Sequence, residues 1–156
     1  MYPNVKLLVS AKEDAKTAYD FLGYSAAGID FSKNITKMLP ALESVDKSSK
    51  SGKKIIGKEV SAYHEEHEQE LKRKQGRMRK RWDEIQDRFF KETGNVFKGW
   101  PWPKGKYIGY VSIFDCNPRN PSNKTFQMWV GKKDDDFLGG IAHELLHFMF
   151  YNYSTP

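Results

Sequence analysis

The sequence predicts an α+β fold: N-terminal helices, one long charged helix, a small β-sheet, and a buried helix near the C-terminus. Three observations carry that expectation. Apolar residues recur at helical spacing over 58–93. Two runs rich in β-branched and aromatic residues lie at 106–115 and 124–131. A stretch almost free of charge fills 137–151. At 156 residues the chain has the length of one domain, 1–156. Within it, 1–57 reads as a helical region ending in a Ser/Lys/Gly linker, 58–93 as the long helix, and 94–156 as strands plus the last helix.

Residues 11–23 read as a helix. Ser10 is placed to cap it with Glu13 three residues on, and Gly23 to stop it. A second helix is expected over 31–44, with Ile35, Met38, Leu39 and Leu42 on one side and Pro40 kinking or splitting it. Residues 46–58 read as the linker. The long helix carries Val60, Tyr63, Leu71, Met78, Trp82, Ile85 and Phe89 as its apolar stripe, with His67 filling the one gap. Gly94-Asn95 ends it. Trp100 and Trp102 lie in a Pro/Gly loop over 99–105 and are expected to cap a core. A strand at 106–115, a two-proline turn and a strand at 124–131 follow. The second strand alternates Phe126, Met128 and Val130 with polar residues, as an edge strand with one wet face does.

Composition narrows the function classes. Aromatic residues at 14% are too many for a disordered chain. No stretch approaches the ~18 apolar residues of a membrane span, so no membrane partner is expected. The N-terminal run lacks the apolar core of a signal peptide. Cys116 is the single cysteine, which rules out an intrachain disulfide and points to a reducing compartment, most simply the cytoplasm. The net charge is +6, yet seven basic residues and no acid occupy 72–81, leaving −1 for the rest. That segment reads first as a solvated helix face. A contact with nucleic acid or an acidic partner is the less favoured reading, and no aromatic interleaves the run to stack bases.

The chemistry lies in 134–151. Asp134, Asp135 and Asp136 open the last helix with favourable charge and a cap. From Phe137 on, apolar residues occur all round, and His143, Glu144 and His147 stand out against them. A carboxylate among such residues is costly without a partner. The pattern His143-Glu144-Leu145-Leu146-His147 supplies a reason. Residues four apart stack on one helix face, so both imidazoles can grip one Zn2+ ion. Glu144 lies about 100° round the helix, beside the ion, placed as general base for a water attacking an amide. The expected activity is zinc-dependent hydrolysis of peptide bonds in a peptide or protein substrate.

Residues 124–150 resemble the strand and active-site helix of the zincin metallopeptidases, and the likeness spans about 106–153. The short lead-in is similar to that of the minimal gluzincins. The resemblance implies a mixed sheet behind the helix, an edge strand (here 124–131) that pairs with extended substrate, and a third zinc ligand, a glutamate on a later helix. After His147 come nine residues with no Glu, Asp, His or Cys among them. Three alternatives stand. The chain is a piece of a longer peptidase; an upstream group such as His64, His67 or Asp115 completes the site; or the site is degenerate and the fold is a non-catalytic binding module acting through 72–81. Cys116 is expected to be an ordinary half-buried thiol. Gly139 and Gly140 are expected to let the last helix approach the sheet closely.

Overall fold

Over residues 2–154, which the computed structural model describes, short-range signals and secondary structure largely agree. The elements in order are β1 (Val5–Val9), α1 (Ala11–Phe21), the hairpin β2 (Ser25–Ala26) and β3 (Ile29–Asp30), and α2 (Phe31–Met38). A 3-10 turn at Pro40–Leu42 follows, then α3 (Lys50–Glu66), α4 (Glu68–Val96), β4 (Tyr107–Ser112), β5 (Arg119–Asn120), β6 (Thr125–Trp129) and α5 (Asp134–Ser154). The fold is α+β. Ser10 caps α1 as its spacing predicts, its Oγ accepting from the Glu13 N–H at 3.2 Å. Pro40 does split the second helix, because proline cannot donate the bond that would continue it. Among the described residues no helix is long and apolar enough to cross a membrane.

Four expectations need correction. The first is the edge strand. β1 and β4 pair in parallel, β4 and β6 pair in parallel, and β5 pairs antiparallel with β6, giving the order β1-β4-β6-β5. Strand 125–129 therefore lies inside the sheet. The chain leaves β4, passes beyond the place of β6, returns as β5, and only then fills the gap. Gln127 is buried where a wet face was expected, its Oε1 accepting from Thr17 Oγ1 at 2.9 Å. β1 was not foreseen at all; five residues with a lysine inside carry too weak a periodicity.

The second correction is the long helix. It starts earlier, at Lys50, so most of the presumed linker is helical, capped by Ser49 accepting from the Gly52 N–H at 2.9 Å. It also breaks at His67 (φ −108°, ψ 18°). The break serves two cores. Ile56 and Val60 of α3, with Leu71 from the first turn of α4, pack with α1, α2, Ile113 and Phe114. Met78, Trp82 and Phe90 of α4 pack with α5 and one face of the sheet. One straight helix could not turn toward both. His67 itself stacks on Tyr63, ring centroids 3.9 Å apart.

Third, α5 is buried on one side only. Phe137, Ile141, Leu145 and Phe148 face the sheet, whereas Leu146 and Phe150 are exposed. Gly140 explains the close approach: a Cβ there would sit 2.0 Å from Met128 Cε of β6. Gly139 faces open space and has no such role.

Fourth, the acids at the start of α5 act across the fold. Asp134 accepts from Lys74 Nζ at 2.8 Å and from Arg77 Nε at 2.7 Å, and Asp135 from Arg81 Nη2 at 2.6 Å. Lys74 Nζ also donates to the Lys132 carbonyl. Lys72 pairs with Glu68, and Arg79 with Asp83. Much of the basic run is thus neutralised within the chain, and three of its members pin the first turn of α5 to α4.

The β2–β3 hairpin turns on Ala27 and Gly28, both at positive φ (50° and 79°). Such a two-residue turn favours asparagine at its first position, since its short polar side chain bonds the local backbone and offsets the roughly 1 kcal/mol cost of positive φ. Ala27→Asn is expected to stabilise the protein by about 0.5–1 kcal/mol, read as a rise in denaturation midpoint at unchanged slope.

Candidate metal centre

Burial along α5 follows its helical period, and that period sorts the motif. Leu145 and Phe148 face the core. His143 and His147, one turn apart, fall on the outer side, and Glu144 lies at the boundary with β5. The two Nε2 atoms approach to 2.9 Å with the rings edge to face, centroids 4.5 Å apart. Two nitrogens bound tetrahedrally at about 2.0–2.1 Å from one ion lie about 3.3 Å apart. The pair need only open by a few tenths of an ångström to hold zinc. A ligand-capable oxygen of Glu144 and the two imidazole nitrogens all lie within 4.8 Å of one another. The two imidazole nitrogens are donors of the kind zinc takes.

Glu144 is 6% exposed. Burial pushes its carboxyl above the ordinary carboxylate range, and Arg119 and His143 offset part of that rise. Arg119 Nη1 lies 3.4 Å from Glu144 Oε2. Burial, then Arg119 and His143, hold His147 below the usual histidine value. The first displacement favours proton uptake by the carboxylate, and the second favours the neutral imidazole that a metal requires.

Two neighbours were not found from sequence. Arg119 stands 25 residues from Glu144, and only the β5–β6 register brings it there. That register sets Arg119 opposite Phe126, so both side chains leave the sheet on the α5 face. Tyr151 stacks on His147, centroids 5.7 Å apart and rings 17° from parallel. The spacing His147 to Tyr151 repeats the four-residue step, a signal that was available.

The upstream candidates for a third ligand are engaged elsewhere. His64 Nε2–H donates to Asp14 Oδ2 at 2.8 Å, inside a buried network that also takes in Ser112 Oγ and the Ile113 N–H. His67 Nδ1 lies 3.0 Å from the Tyr63 carbonyl. The Asp115 side chain accepts from Asn117 Nδ2 at 2.7 Å. Among the described residues no further His, Cys, Asp or Glu joins His143, Glu144 and His147. Cys116 is buried and its thiol is pushed up to about 12, chiefly by burial, so it is a core thiol and no ligand.

A groove of about 710 Å³ opens beside the cluster, between the β2–β3 hairpin and residues 116–121, with Arg119 and Tyr151 on its border. Comparison with family models, curated proteins and solved structures returns no match for this chain.

Proposed function

We propose that the protein is a zinc-dependent metallopeptidase, or the core of one. The observation that carries this reading is the convergence of the two imidazole nitrogens on the outer side of α5, beside a buried carboxylate. His143 and His147 would hold the ion through Nε2. Zinc, when bound, polarises a scissile carbonyl and lowers the pKa of water. Glu144 takes the proton from the attacking water. It delivers that proton to the leaving nitrogen as the C–N bond breaks. Tyr151 limits rotation of the His147 ring, and Arg119 holds the Glu144 carboxylate at the groove.

The substrate path follows from the ladder. The Gln127 N–H donates to the Pro118 carbonyl at 2.9 Å, so Arg119, the next residue, turns its own N–H and C=O away from β6. An extended peptide can pair with that outer edge. This role, assigned by resemblance to 124–131, passes to β5. The lone cysteine supports a reducing, cytoplasmic setting for this enzyme.

Metal analysis tests the reading. The purified chain is expected to take up one equivalent of zinc. His143→Ala and His147→Ala are each expected to weaken binding by roughly 10²–10³-fold, measured by competition with a chromophoric chelator. Both side chains sit on the outer side of the helix, so the fold should survive their loss. Unchanged zinc affinity in both variants would overturn the proposal. One zinc per two chains with a stable dimer would do so too, because four imidazoles close the site.

A further inference from the structure

We infer that the groove beside the metal centre seats a bulky apolar side chain, preferably aromatic, of a peptide bound at that centre. The inference builds on the metallopeptidase reading and names its substrate class. The groove is continuous with the site at two points: Arg119, which reaches Glu144, and Tyr151, which stacks on His147. Its wall is a cluster of rings. Phe21 and Phe31 meet at 5.2 Å, Phe21 and Tyr24 at 5.6 Å, and Tyr24 and Phe31 at 5.9 Å between centroids. Such a cluster offers faces and edges to a further ring.

The hairpin presents this surface to solvent at a cost. Tyr24 is 47% and Ile29 49% exposed, and the turn between their strands holds Ala27 at positive φ. Two large apolar side chains facing water at the lip of a groove gain most when a partner covers them. Of the lining residues only Asp20 and Arg119 are charged, and Arg119 is engaged by Glu144, so rings and other apolar groups make up most of the surface an occupant meets. The outer edge of β5 runs along the same groove. An extended peptide paired there turns alternate side chains to opposite faces, so one of them enters the ring-lined pocket. The volume suits a short stretch of peptide with one large side chain.

The test uses peptides that differ at one position, Phe, Ala or Lys, and the double variant Tyr24→Ala/Ile29→Ala. Both residues are half exposed, so their truncation spares the cores. Cleavage by the zinc-loaded chain is followed by mass spectrometry. Binding of the same peptides to the zinc-free chain is followed by NMR of the aromatic resonances. The Phe peptide is expected to be preferred over Ala and Lys, and the double variant to lower the Phe-to-Ala ratio roughly tenfold in both readouts. In a second variant, Ile29→Trp, a larger ring fills the groove and the ratio should fall again. A ratio unmoved by either variant, or a preference for Lys, overturns the inference. Binding that obeys these expectations without any cleavage would sink the hydrolase reading and still support the groove assignment.

Discussion

Glu144→Gln is expected to lower peptide hydrolysis by about 10²–10⁴-fold while zinc binding persists. The amide has nearly the shape of the carboxylate but cannot accept a proton from water. In the protein the carboxylate is 6% exposed with Arg119 Nη1 at 3.4 Å, and burial already raises its proton affinity. In the proposed reading, losing it removes an interaction that matters mainly in the transition state. The metal should stay, because in this reading its ligands are the imidazoles of His143 and His147. Kinetics and zinc stoichiometry measured on the same sample decide the matter. Full activity in the variant would show that Glu144 is not the base. Loss of zinc would show that the carboxylate is itself a ligand.

Asp134→Asn is expected to destabilise the fold by about 2–4 kcal/mol, a drop of roughly 6–12 °C in Tm. Lys74, whose side chain is 7% exposed, would lose its counter-charge and be left with neutral partners such as the Lys132 carbonyl and the Phe137 ring. Arg77 would lose its counter-charge and one of its two bonds to residue 134, because the amide keeps a single acceptor oxygen. A buried cation without its counter-charge is far more costly than a broken surface pair. Adding Lys74→Met should recover part of the loss, since it removes the stranded charge. The pH dependence has a definite sign. Arg77 first, and then Lys74, hold the Asp134 carboxyl far below its ordinary range. The stability this contributes is complete above the unfolded carboxylate value of about 3.9 and is lost as pH falls below it. The variant should therefore show a shallower fall in stability through that acid range. Equal acid sensitivity in the two proteins would contradict the clamp.

Local signals carried much of the reading. The Ser10 and Gly23 boundaries of α1, the split at Pro40 and the strands at 107–112 and 125–129 all follow from capping, proline chemistry or side-chain alternation over a few residues. The break at His67 did not, because an unbroken apolar stripe fits one helix equally well; only the presence of two separate cores demands a bend. The strand order was equally hidden. A Pro-rich connection of about ten residues suggests a hairpin, yet the chain uses it to pass around the place of β6 and return as β5.

By itself the sequence determined most of the helices, two of the strands and the pairing of His143 with His147, because the four-residue step that stacks those two residues is a property of any α-helix. Only the tertiary structure decided what surrounds that pair. Arg119 reaches Glu144 through a strand register, the basic run meets Asp134 and Asp135 across a helix–helix contact, and the N-terminal hairpin closes a groove against residues 116–121. Each of these joins positions far apart along the chain. Such contacts are set by which apolar faces bury one another, and no local pattern of residues records that choice.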